Sequence, residues 1–445
     1  MSATTTTPLP FTPEMQALYE RACEALNGAR LKRLLADLVD IHSPTGGERA
    51  ASTFMAGYMR DVVGIDARYQ PVNELTGNAL GEMRGAGGGA SLLLYAPIDT
   101  HLEGDETEDV PWVGPSLRAD MVPKARIEGD MVIGLGASNP KAMVASLTEV
   151  VHALKDSGVA LKGDLLLGFA GGGMPVSLPQ RNNYGMSSGV YHLLAHGGQP
   201  DYAIIMKPWW VVFNEEPGMC WFKVTVWGTL GYAGIARGTP GFRSSIVPAA
   251  AMIEELEAWI QRYTARNSSG GIKADGWLAS LRAGWPERPA FPSAATEICF
   301  DIRVSPRTTP AEVRAQFAEG MREILSRHPG IEASWEMYGS TPGGFTDRGN
   351  WIVQSALRGW EHVEGAPHPA VPPMGGQTDG AMIRRLGIPC ARIGYPWPPE
   401  NCDPAFKEGL GGMGAAYVPD LLKSARAVLY AVIDTLARER AETGL

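Results

Sequence analysis

The polar residues that could do chemistry here stand at the ends of apolar runs. Leu92-Leu93-Leu94-Tyr95 is short and continuous enough for a strand buried on both faces. It ends in Asp99-Thr100-His101, where a parallel sheet presents groups to a ligand. An imidazole titrates near neutrality and a carboxylate orients and stabilises its cation, so Asp99 and His101 are read as an acid/base pair. A glycine-rich turn running from Gly134 to Lys141 supplies Asn139 and Lys141 as substrate-orienting groups. Ser138 beside Lys141 is a Ser–Lys nucleophile or a turn serine. A third run, Tyr202 to Met206, ends in Lys207-Pro208 and puts an ammonium at its tip.

Other polar groups carry less. His192 and His196 have the i, i+4 spacing of a metal chelate but no third ligand nearby, which suits a solvated helix. Glu103, Asp105, Glu106, Glu108 and Asp109 show no ligand spacing and read as a solvated loop. His42 suits a buried or capping role.

These tips need a scaffold. Helical spacing over residues 12–40 predicts two helices, and 144–158 and 419–438 predict two more. Ser43 or Thr45 with Glu48 reads as the cap of a helix that follows. Residues 164–170 read as a buried strand ending in Gly171-Gly172-Gly173-Met174. Near Glu215 the pattern changes. Strands at 219–228, 296–304 and 331–337, with helices at 246–264 and 310–326, fit a ferredoxin-like α+β unit. Residues 267–292 read as an excursion within it. The fold class is therefore α/β: a mainly parallel sheet flanked by helices, with an inserted smaller α+β domain. Its domains are residues 1–214 with 339–445, and 215–338.

The 445 residues suffice for two cores, and a net charge of −9 without any basic run argues against nucleic acid. Five scattered cysteines suit reduced thiols in a cytoplasmic protein. There is no signal-like N-terminus and no membrane-length apolar run, so a membrane partner is not expected.

The frame of these motifs resembles metallopeptidase family 20, the di-zinc aminoacylases, glutamate carboxypeptidases and desuccinylases. That family reads G-H-x-D-T at the first tip, where this chain has Ala96-Pro97-Ile98-Asp99-Thr100. It reads G-R-G-x-x-D-x-K-G at the second, where Asn139 replaces the bridging aspartate. Gly172 or Gly173, Lys207, and Gly412 or Met413 stand at the remaining ligand positions. The general base has gone from the Gly171–Gly173 tip, and Tyr232 stands in for the lid histidine. The segment Gly375-Gly376-Gln377-Thr378-Asp379 matches the family's substrate-side motif, which implies Gly376, Gln377, Thr378 and Asp379 in substrate binding. The resemblance also implies a homodimer through the lid.

Two bound zinc ions would bring four positive charges, which clustered carboxylates normally balance. A chain that has dropped those carboxylates and placed Lys207 near Asp99 can be neutral without metal. No metal and no other cofactor is expected, and Lys207 and Asp99 are expected within salt-bridge reach. Lys207 and Tyr232 then donate to a developing oxyanion in place of zinc and the lid histidine. The resulting reading is a metal-independent hydrolase of a C–N bond (amide, ureido or imide) in a small molecule. The alternative is a pseudoenzyme that binds a small molecule or serves as a dimeric partner.

Overall fold

The computed structural model describes residues 10–181, 185–407 and 413–445. Gly412 and residues 182–184, at the start of the segment holding His192, lie outside the described residues. Two compact units emerge, one of residues 1–214, 345–370 and 378–445, the other of 215–344 and 371–377.

The first unit is built on a seven-stranded sheet. In chain order its strands are β1 (Asp66–Pro71), β2 (Gly77–Met83), β3 (Leu92–Pro97), β4 (Leu165–Ala170), β5 (Tyr202–Pro208), β6 (Val212–Phe213) and β7 (Cys390–Tyr395). The spatial order is β1-β2-β4-β3-β5-β7-β6. The four central strands run parallel, and antiparallel β1, β2 and β6 finish the edges.

Every residue of β3 is buried because its side chains alternate between two helical layers. Leu92, Leu94 and Ala96 join the larger core, shared with helices Gly28–Asp40, Met143–Asp156 and Val418–Leu436. Leu93 and Tyr95 face the smaller core, with Val190 and Leu193 of helix Ser188–Ala195 and with Ile383. A strand covered on both faces gains nothing from polar alternation, hence the continuous apolar run. Helix Met143–Asp156 lies deep, buried from Met143 to Leu154. The layering brings the C-terminal ends of β3, β4, β5 and β7 side by side, where open parallel sheets place ligands.

The second unit is a four-stranded antiparallel sheet in the order Gly276–Ala283, Ala295–Val304, Gly218–Trp227, Glu332–Thr341. Helices Ile246–Asn267 and Pro310–Arg327 pack on one face over Phe222, Phe300, Phe317 and Trp259. With that chain order of strands and helices, this is the ferredoxin-like arrangement. Ala295–Val304 alternates strictly between buried and half-buried residues, as one covered face requires. Arg303 pairs with Asp301 at 2.9 Å, a structural ion pair of the sheet.

Two sequence expectations need correction. The excursion at 267–292 holds a strand, Gly276–Ala283, at the sheet's edge. Apart from Gly276 and Leu278 its residues are exposed, so it lacks the sustained alternation that signals a half-buried strand. The second unit also runs past residue 338. Its last strand continues to Thr341, and residues 371–377 join it through Met374, whose backbone bonds Gly271 and Lys273 at 3.0 Å. Gly376 and Gln377 therefore belong to the second unit, while Thr378 and Asp379 belong to the first.

Among the described residues no helix is long and apolar enough to cross a membrane. None of the five cysteines forms a disulfide.

Candidate functional site

The end of β4 is the hub of the site. Its apolar run stops at Ala170, and the chain turns through Gly171-Gly172-Gly173-Met174, with Gly172 in the left-handed region at φ 65°. Four successive backbone N–H groups of this turn point at polar side chains from other elements. Gly171 N donates to Asn78 Oδ1 at 3.3 Å and Gly172 N to Glu48 Oε1 at 2.8 Å. Gly173 N donates to Asp99 Oδ1 at 2.9 Å, and Met174 N to Asp99 Oδ2 at 2.8 Å. Glycine is required by space as well as by φ. A Cβ on Gly173 would stand 2.6 Å from Pro97 Cβ and 2.8 Å from Asp379 Oδ2; one on Gly171 would stand 2.7 Å from Glu48 Cδ. The tip lacks carboxylates of its own and binds those of its neighbours.

Around this hub three carboxyls are almost wholly buried: Glu48, Asp99 and Asp379. Asp99 also accepts from Thr45 Oγ1 at 2.8 Å. Asp379 Oδ2 accepts from Tyr95 O–H at 2.7 Å, while its Oδ1 is buried without a partner. Burial pushes Glu48 up to about 7, with the Asp99 charge adding to the rise. It pushes Asp379 up to about 6 against the pull of Lys207. Asp99 is raised by burial too, opposed by its backbone donors, Thr45 and Lys207. Fixed N–H groups favour the ionised form, but the lack of water outweighs them.

The cation stands one strand away. Lys207 closes β5 and is 8% exposed; its Nζ lies 3.5 Å from Oδ1 of Asn139, which is equally exposed. Asn139 Nδ2 reaches Met413 Sδ at 3.7 Å, and the backbone N–H groups of Ser138 and Asn139 both donate to the Met413 carbonyl. So Pro97, Gly173, Asn139, Lys207 and Met413, scattered along the sequence, line the neighbourhood of Asp99 and Asp379. The expected direct ion pair of Lys207 with Asp99 does not form. Thr45, Gly173 and Met174 take both Asp99 oxygens, and Lys207 acts on them through space.

Other expectations are corrected by position. His101 does not pair with Asp99: strand β3 has ended by Pro97, and the acids that act on the His101 ring are Asp109 and Asp120. Its Nδ1 is buried without a partner and burial lowers its pKa to about 4, so it is a neutral packed histidine. The acidic run is not a solvated loop throughout: Glu106–Val113 is a helix, and its buried Asp109 accepts from the N–H groups of Glu103, Gly104 and Asp105 ahead of it. Lys141 is fully buried and donates to the Ile41 carbonyl at 2.7 Å; burial lowers its pKa to about 7. Its ammonium is spent on a backbone carbonyl inside the protein. Ser138 Oγ meets the Tyr395 hydroxyl at 3.1 Å, which leaves no Ser–Lys dyad. Thr378 Oγ1 accepts from Gly380 N at 3.1 Å, a local turn contact. Tyr232 lies in the second unit, 53% exposed, with its ring 6.0 Å from that of Phe291. His192 and His196 stack at 4.0 Å on their helix.

Glu48 is the residue that sequence reasoning misplaced. It was assigned to a helix cap, yet helix Arg49–Tyr58 has no side-chain cap. Its Oε1 instead joins Gly46 N and Gly172 N. A carboxyl moved from about 4.5 to about 7 binds its proton more tightly in the folded state. Its stabilising share is complete below the unfolded value and is lost as pH rises through about 7. Glu48→Gln should therefore gain stability relative to the parent between pH 5 and pH 8, by up to about 3 kcal/mol. Denaturant unfolding at the two pH values measures this. Equal pH slopes for parent and variant would show that Glu48 is ionised throughout.

No protein-family model matches the chain. Its fold matches solved structures along nearly its whole length. These include the dipeptidase Dug1p of Saccharomyces cerevisiae (TM-score 0.69, 11% identity, 95% of this chain and 98% of that one). Another is the M20 family metallo-carboxypeptidase Sso-CP2 of Sulfolobus solfataricus (TM-score 0.65, 14% identity, 90% and 98%). A third is a hydantoinase/carbamoylase family amidase of Burkholderia ambifaria (TM-score 0.58, 16% identity, 94% and 99%). The chain has the fold of these peptidases and of this amidase.

Proposed function

We propose that this chain hydrolyses a C–N bond (amide, ureido or imide) in a small molecule, and does so without the two zinc ions that the resemblance implies. The observation that carries the reading is the meeting of one ammonium and three buried carboxyls, each with its pKa raised by burial, at the ends of parallel strands. The donor set supports the metal-free part. A proline ring, glycines, an ammonium, a neutral amide (Asn139) and a thioether (Met413) replace the imidazoles and carboxylates that hold zinc. Among the described residues no group of three His, Cys, Asp and Glu is arranged to hold a metal.

In this reading Lys207 is the electrophilic group: its ammonium, steadied by Asn139, stabilises the oxyanion formed when water adds to the carbonyl carbon. Asp379, with one oxygen unpartnered and a pKa near 6, takes the proton from that water and passes it to the leaving nitrogen. Asp99 and Glu48 are positioning residues that hold the glycine turn and set the charge felt by Asp379. A second reading, a binder without turnover, is favoured by the lack of any exposure at Glu48 and Asp99. A panel of N-acyl amino acids, ureido acids and dipeptides separates the two. Turnover with a pH–rate limb near 6–7 supports the hydrolase; saturable binding with no product supports the binder.

The chain is further proposed to dimerise through the second unit. Strand Gly276–Ala283 is an uncovered sheet edge, with Trp277 70% and Leu281 55% exposed, the kind of edge that pairs with another strand. Sedimentation should give a dimer that Trp277→Glu converts to monomer. A monomeric parent would remove this proposal.

A further inference from the structure

The chain spends conformational energy to hold one tryptophan in place. Strand β5 ends at Pro208, and the backbone reverses into β6 through Trp209, whose φ is +86°. This left-handed conformation is one that glycine adopts freely and a bulky residue adopts only under strain. The turn itself is dictated by the sheet. Val211 N bonds the Trp209 carbonyl at 2.8 Å, and Gly394 N bonds the Val211 carbonyl at 3.2 Å. A Cβ on Gly394 would collide with the Trp209 carbonyl. A glycine at 209 would make the same turn without strain, yet the position carries the largest side chain available.

That side chain is not used for the core. It is 37% exposed, and its indole N–H has no partner among the described residues. It tilts at 57° toward Trp397, with ring centroids 6.2 Å apart. Trp397 sits just beyond the end of β7, whose register sets Gly394 beside Lys207 and Tyr395 beside Pro208. Both indoles thus lie at the end of the strand pair that carries Lys207: Trp209 two residues past the ammonium, and Trp397 half-buried against the larger core. Strain kept at a position where a smaller residue would relieve it is the pattern of a functional contact.

We infer that Trp209 and Trp397 form an aromatic subsite beside Lys207, and that the ligand carries a flat aromatic acyl group next to its C–N bond. The inference rests on the hydrolase reading for the reaction, but not for the binding. A planar ring packed against the two tilted indoles gains both buried area and ring–ring contact, which an acetyl group cannot.

The test uses the full-length protein with N-benzoylglycine and N-acetylglycine as probes. Binding is followed by calorimetry, hydrolysis by release of glycine, and folding by thermal unfolding. The parent should bind the benzoyl compound at least about tenfold more tightly. Trp209→Gly should bring that preference to about twofold or less while the unfolding midpoint stays level or rises, because the strain is relieved. Trp209→Asn, which also tolerates left-handed backbone, and Trp397→Ala should lose the preference as well. A parent that prefers neither probe, or binds neither, overturns the subsite. So does a glycine variant that keeps the preference, or a preference lost only together with stability in all three variants. Benzoyl preference without glycine release would sink the hydrolase reading and leave the subsite. Equal release from both probes would do the reverse.

Discussion

Lys207→Met should lower turnover at least about 100-fold, the scale of losing one oxyanion-stabilising donor, while the protein still folds. The ammonium lowers the pKa of both Asp99 and Asp379. Without it both carboxyls rise further, and the buried cluster takes up protons instead of holding uncompensated charge. The stability cost should stay below the roughly 3–5 kcal/mol of a broken buried ion pair, since Lys207 makes no direct pair with Asp99 and protonation offers an escape. The escape has a pH sign. Carboxyls with raised folded values are stabilising when protonated, so the variant should be close to the parent near pH 5 and fall behind it above pH 7. Urea unfolding at both pH values, with initial rates on the same samples, reads both effects. Normal turnover in a folded variant would remove Lys207 from the mechanism.

Asp99→Asn should be costly to the fold even though it deletes a buried charge. Both Asp99 oxygens accept from rigid backbone donors, Gly173 N and Met174 N, and Oδ2 also accepts from Thr45. An amide has one acceptor, so its NH2 must face an N–H or a hydroxyl, and one donor loses its partner. Leaving a buried donor unsatisfied costs about 1–3 kcal/mol, and the repulsion adds to it. A loss of about 2–4 kcal/mol in unfolding free energy is expected. Combining this change with Lys207→Met should not restore stability, because the amide mismatch at the glycine turn is independent of the lysine. Recovery in the double variant would show that charge balance, and not backbone donation, is what Asp99 supplies.

Much of the scaffold was legible because it follows from local rules. The run Leu92 to Tyr95 reads as a doubly covered strand, and the regular apolar spacing of helices such as Gly28–Asp40 predicts them directly. The strand tips carrying Asp99, Asn139 and Lys207 were readable from where those runs stop. What failed was inference from closeness in sequence. His101 follows Asp99 by two residues, yet the chain has left the strand and the nearby charges that act on the ring are Asp109 and Asp120. Glu48 looked like a cap because it opens a helix; its carboxyl is drawn off by Gly172, a partner on β4's turn that no local pattern announces. Lys141 looked like a solvent-facing ligand group, but packing around the turn buries it against Ile41. The strand Gly276–Ala283 escaped notice because an edge exposed on both faces carries no periodic burial signal.

The most direct test of the account is the rate of amide hydrolysis by protein whose metal content is measured in the same tube. Dialysis against a strong chelator, followed by elemental analysis, should leave far less than one zinc per chain. Hydrolysis of the best panel substrate should then continue at its undiminished rate, added zinc should not raise it, and Lys207→Met should lower it at least about 100-fold. Activity that vanishes with the chelator and returns in proportion to one or two zinc ions per chain would contradict it.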